Sequence, residues 1–121
     1  MYLLDSNILI YSLLPEQQKL RNFLRQKQPV CSIVSKIEVL GYHKLTDGEK
    51  AALIKLFANI QVLPLTSEIG DTAIILRQTK KMSLGDSIIA ATALIHQAKL
   101  LTVNTKDFEW IENLIFSNPI N

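Results

Sequence analysis

Residues 1–14 read "MYLLDSNILIYSLL", with Asp5 set between two apolar stretches. A short continuous apolar run such as 1–4 reads as a strand buried on both faces. Burying a carboxylate is costly unless a partner compensates it, so Asp5 needs a role at the end of that strand. Similar runs recur as "VCSIV" at 30–34, "IQVLPL" at 60–65 and "KLLTV" at 99–103, with a weaker fifth, "NLIFS", at 113–117. Helical patterns separate them. The segment 16–27 places Leu20, Phe23 and Leu24 on one face and charges on the other. Thr46 and Glu49 form a T-x-x-E capping box ahead of "KAALIKLFANI". Ser67 is the expected cap of a helix running to about Lys80, and Asp86 that of "SIIAATALIHQA". Strands alternating with helices predict an α/β fold: a three-layer α/β/α sandwich with a mostly parallel sheet of four or five strands.

The length of 121 residues suggests one domain, 1–121, and 48% hydrophobic residues supply a core. Thirteen basic and eleven acidic side chains leave a net charge of +2, too weak a balance to argue for nucleic-acid binding by itself. Cys31, the only cysteine, excludes an intramolecular disulfide and reads as a small core residue. No apolar run reaches the roughly 18 residues that span a bilayer, and no basic segment precedes the first apolar stretch. These features predict a cytoplasmic protein with no membrane association.

Right-handed crossovers place all parallel strand ends on one edge of the sheet, where ligands of open α/β sheets bind. Asp5 follows the first strand directly. Glu38 is expected in the first turn of the helix after the second, in "SIVSKIEVLGY", and Asn104 and Asp107 follow the fourth, in "TVNTKDF". Asp86 opens the helix before the fourth strand, whose start faces the same edge. Four acids distant in sequence thus converge. Clustered carboxylates raise one another's pKa unless a cation compensates, and an oxygen-only donor set suits Mg²⁺ or Mn²⁺. Such a site points to phosphodiester hydrolysis.

Each acid also has a simpler reading. Ser35 and Glu38 fit a capping box, Asp86 is a good helix cap, Asp107 fits a cap for "KDFEW", and Asp5 fits one for a short helix from Asn7. His43 and His96 have no zinc-like spacing with each other or with Cys31. No phosphate-loop, dinucleotide-binding or nucleophile-elbow string occurs. Lys19, Arg21, Arg25 and Lys27 on one helix, and Arg77, Lys80 and Lys81 elsewhere, read as solvated faces.

The same residues resemble the PIN-domain ribonucleases, especially the VapC-like toxins of type II toxin–antitoxin pairs. "LLDSNILIY" resembles the family's opening strand, "SIVSKIEVLGYHKL" its glutamate-centred second motif, "SLGDSIIAATAL" its third and "LLTVNTKDF" its fourth. The resemblance covers nearly the whole chain, and the third motif is the most specific. It implies a Mg²⁺- or Mn²⁺-dependent endoribonuclease, with Asp5, Glu38 and Asp86 as metal-binding and catalytic acids. Asp107 is the fourth, with Asn104 beside it as the other candidate. It implies that Ser6 keeps the hydroxyl of the usual threonine and that Asn7 braces the loop. It further implies an RNA substrate, a homodimer and a cognate antitoxin that obstructs the acidic pocket.

Two positions depart from the family pattern: Gly85 stands where proline is common, and Val103 where arginine is frequent. With Asn104, they are the marks a catalytically degraded PIN-like interaction module would carry, which is the alternative reading. A phosphotransfer enzyme using Asp5 as nucleophile is a third; it would want a second aspartate two residues on, where Asn7 stands.

Overall fold

The computed structural model describes residues 1–120. Five short strands form one sheet: β1 (Tyr2–Leu4), β2 (Val30–Ser32), β3 (Gln61–Leu63), β4 (Lys99–Leu101) and β5 (Phe116–Ser117). The order is β3-β2-β1-β4-β5, and every pairing is parallel. Among the described residues there are also seven helices: α1 (Ser6–Tyr11), α2 (Gln18–Lys27), α3 (Ile33–Leu40), α4 (Asp47–Phe57), α5 (Ser67–Thr79), α6 (Leu84–His96) and α7 (Thr105–Phe108). The expected sandwich is therefore present, with all strands parallel and the weak fifth run contributing two residues.

Strand periodicity divides the core. Leu3, Val30, Leu63 and Leu100 face one side and pack with Ile69, Ala73 and Leu76 of α5, most of α6, and Phe108. Leu4, Cys31 and Leu101 face the other and pack with Ile8, Leu9, Leu20, Leu24, Leu53 and Phe57. Leu20 and Leu24 of α2 are buried, with Phe23 packed beside them, as the helical pattern predicts. Burial pushes the Cys31 thiol up to about 11, so it is an inert core residue. Among the described residues, no helix is long and apolar enough to cross a membrane.

The strands end earlier than their apolar runs. Ser32 closes β2 and its hydroxyl caps α3 through Val34 N at 3.0 Å, which turns Ile33 and Val34 into helix. Pro64, which has no N–H to donate, follows β3. Thr46 and Glu49 form the expected capping box, with both hydrogen bonds made, at 3.1 and 3.0 Å. Three expected caps are displaced. Thr66, not Ser67, caps α5 through Ile69 N. Ser83, not Asp86, caps α6. Ser32, not Ser35, caps α3, so Glu38 takes no part in a capping box there. In each case a hydroxyl one to three residues upstream has the extended backbone that capping needs.

Candidate active site

The strand order reverses at β1 and β4: β2 and β3 lie on one side of β1, β4 and β5 on the other. The crevice at the carboxyl ends of β1 and β4 is therefore the ligand position that the topology favours. Asp5 and Thr102 are the first residues beyond these strands. The register sets Leu4 beside Leu101, and Asp5 N donates to Leu101 O at 3.0 Å.

Asp5 is only 4% exposed, and three elements hold it. Its Oδ1 accepts from Ser6 N at 2.7 Å, which starts α1. Its Oδ2 accepts from the buried Thr102 hydroxyl at 2.7 Å. The Thr102 oxygen in turn accepts from Asn104 N at 3.0 Å, so one hydroxyl ties the β1 carboxylate to the turn after β4. The capping reading of Asp5 is thus correct but incomplete: one oxygen caps α1, starting at Ser6 rather than Asn7, and the other is anchored across the sheet. Thr102 was not apparent as a site residue from sequence. Its signal is a hydroxyl at the end of an otherwise apolar run, in the strand beside Asp5.

Glu38 is the sixth of the eight residues of α3, in its second turn rather than its first because the helix already starts at Ile33. Its carboxylate is exposed, and its Oε1 accepts from the Ser6 hydroxyl at 2.8 Å. Ser6 therefore serves two acids, its N–H bonding Asp5 and its hydroxyl Glu38. Asn7 sits in the first turn of α1; among the described residues its side chain makes no hydrogen bond, so the loop is braced by Asp5 and Ser6 instead. Ser35, one turn before Glu38, is fully buried with its hydroxyl unpartnered among the described residues.

Asp86 is the third residue of α6, and its N–H donates to Ser83 Oγ at 3.1 Å. Because Ser83 performs the capping, the Asp86 carboxylate is left for other work, in the first turn where the helix dipole favours negative charge. Gly85 lies against Glu38: a Cβ there would sit 2.7 Å from Glu38 Oε2. The missing side chain at this position makes room for the Glu38 carboxylate. Asp107 is exposed on α7, its N–H bonded to Asn104 O at 3.0 Å. The fully buried Phe108 pins that short helix to the core. Asn104 occupies the cap position of α7, but its exposed side chain makes no capping bond.

Two of the acids, Asp5 and Asp86, feel the charges of the others. Burial raises the pKa of Asp5 above its ordinary value; the bonds from Thr102 and Ser6 oppose this, and the charges of Glu38 and Asp107 add to it. Asp86 is raised by burial, then by Asp5, with lesser contributions from Asp107 and Glu38 against the Ser83 bond. Among the described residues, no lysine or arginine lowers either value. Among the described residues, no three acidic, histidine or cysteine side chains stand close enough together to enclose a metal ion. The acids are near enough for their charges to act on Asp5 and Asp86, but they do not form a closed cage. An all-oxygen, mutually repelling set of this kind fits a hydrated divalent ion, since Mg²⁺ is usually held by one or two carboxylates and keeps several waters.

One cleft adjoins these acids, lined by Lys80, Lys81, Met82, Ser83, Asp86, Lys106, Asp107 and Trp110. Part of the second basic cluster thus frames the acids rather than a plain solvated face. Arg21 is also engaged, donating to the carbonyls of Ser12 at 2.9 Å and Leu14 at 2.6 Å beyond the end of α1.

Comparison with known proteins agrees with this architecture. A chain of a toxin–antitoxin complex from Klebsiella pneumoniae is 30% identical over 95% of this chain and 96% of that one, with a TM-score of 0.77. VapBC2 from Rickettsia felis, bound to a promoter DNA fragment, shares the fold at 22% identity, covering 97% of each chain with a TM-score of 0.85. FitAcB from Neisseria gonorrhoeae does so at 22% identity over 100% of this chain and 99% of that one, with a TM-score of 0.80. No curated protein sequence matches significantly. The sequence profile of the PIN domain matches residues 2–113, the whole span from β1 to α7 and the turn beyond it, and the chain therefore belongs to the PIN-domain family.

Proposed function

We propose that the protein is a divalent-metal-dependent endoribonuclease, the toxin of a toxin–antitoxin pair. The observation that carries this reading is the convergence of Asp5, Glu38, Asp86 and Asp107 at the sheet's switch point, close enough that their charges raise the pKa of Asp5 and Asp86. Asp5, Asp86 and Asp107 would hold Mg²⁺ or Mn²⁺, with Glu38 as a further ligand or as the group that orients the attacking water. The bound ion supplies positive charge at the scissile phosphate and lowers the pKa of water. The remaining work belongs to the chain. Asp5 is held immobile by Thr102 and Ser6. Glu38, steadied by the Ser6 hydroxyl, is exposed and positioned to accept a proton from an incoming water. Asp107 is preferred to Asn104 as the fourth acid, because its charge acts on both Asp5 and Asp86.

A cognate antitoxin is supported by the Klebsiella pneumoniae relative, whose structure is a toxin–antitoxin complex. A homodimer is supported by the exposed Ile74 and Ile75 of α5 and Leu84 of α6, apolar surface that a second copy would cover. Gly85 argues against the degraded-module alternative, since its lack of a side chain leaves Glu38 in place. The test is cleavage of structured and single-stranded RNAs by antitoxin-free protein with Mn²⁺, with Mg²⁺ and with EDTA. Cleavage with either ion that EDTA abolishes is expected. Absence of cleavage with both ions, together with growth arrest that survives Asp5→Asn, would sink the reading.

A further inference from the structure

We propose that the cleft beside Asp86 and Asp107 seats one nucleotide of a single-stranded RNA substrate, its base stacked on Trp110 and its flanking phosphates on Lys81 and Lys106. The inference rests on the nuclease reading of the adjoining acids. The cleft measures about 490 Å³, within the roughly 300–1,000 Å³ of small-ligand sites. Its walls combine three features. Asp86 and Asp107 belong to the acid cluster, so whatever fills the cleft lies next to the reacting centre. Lys80, Lys81 and Lys106, all exposed, line the same space. A polyanion approaching four carboxylates is repelled, and these ammonium groups offset that repulsion on this side of the cluster. The third feature is the Trp110 ring.

Trp110 is held as a platform. Its Nε1 donates to Asp107 O at 3.0 Å, and its partly buried body packs against the hydrophobic core. Lys80 Nζ lies over the ring, 5.6 Å from its centroid. Lys80 is exposed, and a cation over a ring at an exposed site is weakly held. A base can therefore replace it and leave the ammonium free to meet a phosphate. Stacking on an aromatic face tolerates any base. Trp110 accordingly contributes affinity and placement of the strand rather than choice of sequence. Because the indole is bonded to the backbone of Asp107, the stacked base is tied in position to one of the acids.

Trp110 is the only tryptophan, so its fluorescence reports on the cleft alone. The experiment titrates a fluorescently labelled single-stranded RNA into the full chain in EDTA, reading Trp emission and RNA anisotropy together. Wild type is expected to show saturable quenching that tracks anisotropy. Trp110→Leu is expected to weaken binding about tenfold, and Trp110→Phe to restore most of it. Lys81→Ala and Lys106→Ala are each expected to lower the slope of log affinity against log salt by about 0.7. Thermal melts establish that each variant folds. RNA binding with unchanged Trp emission, or a folded Trp110→Leu with wild-type affinity, overturns the proposal. Asp5→Asn separates it from the nuclease reading: quenching retained with cleavage lost supports both. Quenching by wild type that cuts no RNA with Mn²⁺ supports the cleft while the nuclease reading fails.

Discussion

The two sides of the acid cluster are built differently. Asp5, at the end of β1, is buried, and both its oxygens are bonded, one to Ser6 N and one to the Thr102 hydroxyl. Asp107, on the four-residue α7, is exposed and is tied to its surroundings through its backbone and through Phe108. One side is an anchor whose position folding decides; the other is a rim whose carboxylate is free to turn. The contrast follows from where each sits. Asp5 is buried directly after the central strand, whereas α7 packs beside the edge strand β5. For the proposed function both have a use: a fixed point for the charge and an adjustable one for entry and release.

The strongest way to break this contrast is at the anchor. Asp5→Asn keeps both hydrogen-bond partners in reach but removes the charge. Its cleavage is expected to fall more than about 100-fold, beyond the range for outer-shell partners, with circular dichroism unchanged. Thr102→Val preserves shape and deletes the hydroxyl that bonds Asp5. A loss of about 10–100-fold in metal affinity or activity is expected. The acid limb of the pH–rate profile should also move to higher pH, because Thr102 lowers the Asp5 pKa and its loss lets burial raise it further. A profile that stays put would show that Thr102 does not set the Asp5 charge.

At the rim smaller effects are expected. Asp107→Asn should cost about tenfold, measured as Mn²⁺ dependence of cleavage, since an exposed ligand is more readily replaced by water. Gly85→Ala forces a Cβ toward Glu38 Oε2, and the flexible glutamate can swing aside. A several-fold drop in kcat at about constant stability is expected. The smallest effect concerns stability without metal. The Asp86 pKa is raised in the folded protein, so ionising it opposes folding. That side chain's contribution is most favourable below its ordinary pKa of about 3.9 and declines as pH rises through the folded value. Metal-free Asp86→Asn should therefore melt higher than wild type near pH 7, by about 2 °C, with the gap closing toward pH 4. Added Mn²⁺ should reverse the order, since only the wild type keeps the full donor set.

Much of the fold was legible because apolar runs in a parallel sheet are nearly continuous. Leu3, Leu4, Cys31, Leu100 and Leu101 are all almost wholly buried. The caps were less legible for a local reason. Ser32 and Ser35, Thr66 and Ser67, and Ser83 and Asp86 are pairs of equally good capping residues, and backbone torsions decided between them. The outcome bears on the site, because Ser83 and Ser32 do the capping that would otherwise occupy Asp86 and Glu38. Thr102 was hidden because a hydroxyl closing an apolar run looks like ordinary strand. Trp110 and Lys80 lie 30 residues apart in sequence and carry no motif.

The sequence by itself determined the alternation of strands and helices, the inert place of Cys31, and the placing of Asp5, Asp86 and Asp107 at the starts of helices. Those features follow from periodicity and from the cost of burying charge, which are local. Only the tertiary structure decided that Thr102 holds Asp5, that Ser6 joins Asp5 to Glu38, that Gly85 makes room for that glutamate, and that Lys80 covers Trp110. Each of these depends on an atom-to-atom distance across the strand-order switch, set by packing between segments distant in the chain.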